Sequence, residues 1–180
     1  MMPPVKGFIY IGDRLNKTWT HFFIILSGVI GALITLFGLT QNPPQLYYVL
    51  GSSLLFITAL YFRLYFFVAL EIILIAGHGA ILLGIGSILQ LALPVLLCLQ
   101  LLIFYFLSDQ LNNVFILIGI TGIAILSIGL SYANEWIFFI GSSAVAIYAF
   151  HAALKNQVAL LWALLNTLFA TIAIATICLT

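Results

Sequence analysis

Apolar and polar positions do not alternate along this chain: apolar residues run in long blocks, broken by short polar or turn-forming stretches. The blocks cover about 22–39, 46–62, 64–83, 88–107, 114–131, 136–153 and 157–178. The hydrocarbon core of a bilayer asks for about 20 apolar residues per helix, with ~17 as the lower limit. Each block meets that length, so the pattern predicts seven membrane-spanning helices. The breaks use turn chemistry: Gln41-Asn42-Pro43-Pro44, Phe62-Arg63, Gly84-Ile85-Gly86-Ser87, Ser108 to Asn113, Asn134-Glu135 and Lys155-Asn156. Connections this short leave no room for an extramembrane domain. Phe8 to Leu15 reads as a short helix on the membrane surface.

Composition supports lipid as the solvent. Of 180 residues, 65% are hydrophobic and 5% charged, against about 25% charged in an average soluble domain. A soluble globular domain is excluded, and a net charge of +1 excludes an electrostatic nucleic-acid binder. The N-terminal stretch is too polar and too long before its first apolar run to read as a signal peptide. Cys98 and Cys178 lie in apolar runs without metal-ligand spacing, so no metal site, cofactor or disulfide framework is expected. With seven spans, Lys6, Arg14, Lys17, Arg63 and Lys155 all fall on the side of the N-terminus, and the opposite loops hold Glu135. The positive-inside rule then places the N-terminus in the cytoplasm and the C-terminus outside an inner, or plasma, membrane.

The chain also repeats itself. Gly28, Gly31, Gly38 and Leu39 recur with identical spacing as Gly119, Gly122, Gly129 and Leu130, an offset of 91 residues. Gly51-Ser52-Ser53 recurs as Gly141-Ser142-Ser143, an offset of 90. Two copies of a three-helix unit joined by a single linker helix explain both offsets. The odd linker brings the second copy back in the same orientation, a plan known among transporters. The expected organisation is an N-terminal cytoplasmic segment (1–20), a first repeat (21–86), a linker helix (87–108) and a second repeat (109–180). The fold class is therefore all-α, with two parallel three-helix bundles in a 3+1+3 arrangement. Pro94 lies in the presumed linker, where a local bend is expected.

Few side chains in the spans are polar, and those few are the candidate site. Glu71 is the one formal charge inside an apolar span. A carboxylate at mid-membrane costs about 2.5–3.5 kcal/mol on insertion scales, so it should face the protein interior and find a partner. His78 follows two turns later on the same face, and His78 or Arg63 is expected near enough to Glu71 to act on its charge. Trp162 and Asn166 stand one turn apart on the last span, a flat apolar ring beside a group that both donates and accepts hydrogen bonds. The repeat aligns these polar groups with apolar or aromatic residues of the other copy, so the pocket is asymmetric although the scaffold is duplicated. The alternative for each residue is an interhelical tie or simple packing. Tyr61, Tyr65, Tyr148 and His151, near the span ends, receive no specific role.

The 3+1+3 plan and the stretch Gly51 to His78 resemble the vitamin transporters of the PnuC family, with Leu64-Tyr65 followed by Glu71 and His78 where family members often carry glutamines. The resemblance implies a SWEET-like fold in inverted orientation and a substrate site lined by the last helix, where Trp162 and Asn166 fall. It implies a facilitator, not an enzyme, that moves a small vitamin-like or nucleoside-like solute by alternating access. Net uptake would then need a cytoplasmic kinase as a trapping partner, or proton coupling through Glu71. A receptor or structural membrane protein on the same scaffold is the alternative reading. Homo-oligomerisation is left open.

Overall fold

The computed structural model describes residues 7–132 and 134–179, with side chains from Thr18 onward except at 130 and 131. Lys6 and the side chains of Arg14 and Lys17 thus lie outside the described residues. The described chain is all-helical: α1 (Gly7–Gly38), α2 (Pro44–Tyr61), α3 (Tyr65–Leu82), α4 (Ser87–Leu107), α5 (Val114–Tyr132), α6 (Glu135–Ala153) and α7 (Leu160–Leu179), the last entered through a 3-10 turn at Gln157–Ala159. Five segments are long and apolar enough to cross a membrane: Thr18–Gly38, α3, α4, α6 and Gln157–Leu179. Helix α2 has 18 residues but dilutes its apolar positions with Gln45, Ser52, Ser53, Thr58 and three tyrosines. The apolar stretch of α5 described with side chains, Val114–Gly129, is shorter. Large apolar side chains such as Leu33, Phe37, Ile88, Leu96 and Phe106 point outward along the helices, as an exterior solvated by hydrocarbon requires.

The surface helix expected at Phe8 to Leu15 is not a separate element. Its backbone runs without a break into α1 over 32 residues, about 48 Å at 1.5 Å per residue. No proline lies between Gly7 and Gly38, so nothing interrupts the hydrogen-bond ladder.

Neighbouring helices pack in sequence, α1 on α2 and α2 on α3, then α5 on α6 and α6 on α7, while α4 touches α3 and α5. The two sets meet where α1 lies against α7 and α3 against α5. Exchanging α1, α2, α3 for α5, α6, α7 leaves the contacts among these six helices unchanged, while α4 packs on α3 and α5. The repeated glycines show the same correspondence at atomic scale. A methyl group on Gly31 would meet Leu54 and Leu55, and one on Gly122 would meet Ala144 and Val145. Gly38 abuts Tyr47 and Tyr48, and Gly129 abuts Ile137 and Phe138. Gly51 presses on Thr35 and the Gly31 carbonyl, and Gly141 on the Leu126 backbone. The pairings with Leu54 and Ala144, Tyr48 and Phe138, and Thr35 and Leu126 recur at the offsets of 90 and 91, whereas the contact of Gly51 with the Gly31 carbonyl has no counterpart among the atoms nearest Gly141. Missing side chains let these helices approach closely, the usual substitute in lipid for a hydrophobic driving force.

Helices α2, α3 and α4 end alike, with a backbone N–H reaching back five residues: Leu64 to the Ala59 carbonyl at 2.9 Å, Ile85 to Ala80 at 3.0 Å and Gln110 to Tyr105 at 3.0 Å. This closure puts the preceding residue in the left-handed region, where glycine is usual. Gly84 has φ 66°, but the other two positions hold Arg63 at φ 55° and Asp109 at φ 54°. An L-residue pays about 1 kcal/mol there. Arg63→Gly should therefore raise stability by ~1 kcal/mol, read as a higher melting temperature; an unchanged or lower one contradicts the strain.

Candidate functional site

Glu71 of α3 and Trp162 of α7 touch; at the repeat offsets of 90 and 91, Glu71 aligns with Leu161 or Trp162. The indole Nε1–H of Trp162 donates to Glu71 Oε1 at 2.7 Å. This bond ties α3 to α7, where the first three helices meet the last three. Both side chains are almost wholly buried. Burial of a carboxyl group in the membrane interior is tolerable only with partners, and the indole N–H supplies one. The Ser52 hydroxyl of α2 also interacts with the carboxyl, yet no donor meets hydrogen-bond geometry at Oε2. A buried oxygen without a donor carries a desolvation cost of about 1–3 kcal/mol.

All four residues expected at the site line one cavity: Glu71 and His78 from α3, Trp162 and Asn166 from α7. Their spacing brings this about, since α3 and α7 each turn one face toward the seam. Glu71 and His78 share a face as their i, i+7 spacing anticipated. Asn166 donates through Nδ2 to the Trp162 carbonyl at 2.9 Å, which commits the donor end of its amide within its own helix. His78 sits against the Tyr48 ring at a centroid distance of 4.7 Å.

Two expectations change. Trp162 was anticipated as a platform for a flat ligand, but Phe67 already stacks on it at 4.6 Å with 24° between planes, so at least one face is taken. Arg63 lies at a different cavity and does not line the one around Glu71. Thr35, Tyr48, Ser52 and Phe138 line the Glu71 cavity without having been singled out. The Thr35 hydroxyl bonds the Gly31 carbonyl of its own helix at 2.8 Å, so in sequence it reads as an inert helical threonine. Ser52 was visible within the repeated Gly-Ser-Ser motif, a signal read only as packing.

The Glu71 cavity measures about 30 Å3. One water needs roughly 10–15 Å3 on this measure, so the space suits one or two waters and no organic solute. Larger spaces lie on either side. A vestibule of about 250 Å3 is lined from the α2–α3, α4–α5 and α6–α7 connections, including Arg63, Asn113 and Lys155. Another, of about 220 Å3, is lined from the α1–α2 and α5–α6 connections, including Gln45, Asn134 and Glu135. Between the first vestibule and Glu71 stand Phe67, stacked on Trp162, and Phe66, whose ring lies 3.8 Å from that of Tyr148. Toward the second, Tyr48, His78 and Phe138 line both spaces.

The arrangement is thus a small polar chamber with an aromatic barrier at each end. It can offer acceptors to a donor-bearing guest if the barriers part. No protein-family model, curated protein or solved structure matches this chain.

Proposed function

We propose that this protein is a seven-span inner-membrane facilitator of 3+1+3 plan, similar to the PnuC family, that passes a small vitamin-like or nucleoside-like solute between its two three-helix bundles. The observation that carries the reading is the closed polar chamber at the seam, with Glu71 Oε2 lacking a hydrogen-bond partner, set between two wider vestibules at opposite ends of the helices. Alternating access needs a central site near mid-depth and a barrier on each side. The narrow chamber corresponds to a closed, unloaded conformation. Loading requires Tyr48, His78 and Phe138 to part on the Glu135 side, and release requires Phe66, Phe67 and Tyr148 to part on the Arg63 side. The positive-inside rule makes the Arg63 side cytoplasmic.

The alternative, a non-transporting receptor or structural protein, expects no cavity between α3 and α7 and a Glu71 fully engaged by protein. The cavity and the unpartnered Oε2 weigh against it. Proteoliposomes loaded with the purified protein decide between them. A solute found by melting-temperature screening of vitamins and nucleosides should accumulate or exchange faster than in empty liposomes; a set of stabilising ligands that never cross would leave only the receptor reading. Uptake independent of pH would remove proton coupling but not facilitation.

A further inference from the structure

The vestibule at the Arg63 end is chemically one-sided. Arg63, His151, Lys155, Gln110, Asn113 and Asn156 line it, and among the described residues no carboxylate does; Asp109, on the same connection as Gln110, is outside the lining. The two asparagines tie their amide oxygens back to the chain. Asn113 Oδ1 accepts from the Phe115 N–H at 3.0 Å and Asn156 Oδ1 from the Val158 N–H at 3.1 Å, which leaves both hydrogens of each NH2 group to offer. His151 is held flat against the Phe115 ring, 4.0 Å between centroids and 5° between planes. Helix α3 starts here without a side-chain cap, and its first residues, Tyr65 to Phe67, line the same space. Their backbone N–H groups have no partner within the helix and carry the positive end of its dipole.

Sidedness alone would need only positive charges somewhere on this face. Here a guanidinium is retained at a left-handed position where glycine would relieve the backbone, among donors whose acceptor ends are tied back. We propose that this vestibule is a binding site for a phosphate group, taken in a fork by the Arg63 guanidinium with Lys155 as a second charge and the asparagine amides completing the donor set. A volume of about 250 Å3 admits a phosphate together with part of the group it esterifies. The phosphate can belong to an anionic lipid headgroup, since the vestibule opens at a helix-end rim, or to a soluble phosphate ester. Solute movement through the Glu71 chamber is not needed for it.

The test uses the full chain in nanodiscs. In the first arm, with phosphatidylcholine as the only lipid, inorganic phosphate is titrated against chloride at matched ionic strength while the melting temperature is followed. In the second, native mass spectrometry of protein from mixed phosphatidylcholine and phosphatidylglycerol counts retained lipid. A saturable rise with phosphate assigns the site to soluble phosphates; selective retention of phosphatidylglycerol without such a rise assigns it to lipid. Under either result Arg63→Gly and Lys155→Gln should weaken binding about ten-fold or more, as loss of a charge-assisted contact implies. Because Arg63→Gly is expected to melt higher on its own, its loss of binding would not reflect unfolding. The proposal is overturned if neither arm shows binding, if chloride reproduces the effect, or if both variants bind like the parent.

Discussion

Glu71→Gln is expected to reduce solute uptake by at least ten-fold in proteoliposomes while the protein still folds. Glutamine has nearly the same volume and keeps a carbonyl oxygen for the Trp162 indole, whose bond to Glu71 Oε1 spans the two halves at 2.7 Å. What it removes is the second oxygen, buried without a donor on a residue that lines the chamber. A solute that completes that oxygen's coordination gains a hydrogen bond to a charged group, worth about 1.5–3 kcal/mol, a factor of roughly 10 to 150 in affinity. An amide NH2 in its place also sets donor against donor. Glu71→Leu separates the structural from the binding role, because it strands the buried indole N–H as well and should cost a further ~1–3 kcal/mol of stability. Uptake by Glu71→Gln at the parental rate would refute the chamber as the solute site.

The second large effect concerns the close helix contacts. Gly51→Ala and Gly141→Ala should each destabilise the protein by about 1–3 kcal/mol, the range for overpacking a tight core. At Gly51 the added carbon meets the Thr35 side chain and the Gly31 carbonyl, and at Gly141 it meets the Leu126 backbone. Backbone cannot rotate aside as a side chain can, so whole helices must separate. Gly79→Ala is the matching control: nothing lies within 4 Å of its new carbon, and alanine in a helix interior gains roughly 0.5–1 kcal/mol over glycine. Melting temperatures in one detergent would show losses for the first pair and a gain for the third. If Gly51→Ala were costly and Gly141→Ala silent, the two halves would not be packed by the same device.

Much of the candidate site was legible because lipid leaves few choices. A polar side chain inside a span needs a partner, so Glu71, His78, Trp162 and Asn166 stood out, and the structure gathers all four around one cavity. Their individual roles were less legible. Trp162 looked like a platform, whereas its N–H holds Glu71 and its ring stacks on Phe67. Periodicity gives the face of one helix, but not the face of the helix sixty or ninety residues away that will meet it. Thr35 escaped notice because a threonine bonded to the carbonyl one turn back is common in any helix. Arg63 was legible as a break between two apolar runs, not as the wall of a vestibule shared with Lys155.

The apolar blocks, the turn residues between them and the paired glycine spacings were enough to define an all-helical chain that belongs in lipid. They also located its helix ends to within a few residues outside the N-terminal extension, and its paired close contacts at the repeated glycines. Those properties follow from local rules, since helix length, breakers and missing side chains act on neighbouring residues. Three-dimensional packing alone revealed that Glu71 of α3 is bonded to Trp162 of α7, that the chamber there is too small for a solute as it stands, and that its two flanking vestibules carry different charges. Each depends on where separate helices cross, and crossing geometry is set by the sum of many weak contacts that no single segment contains.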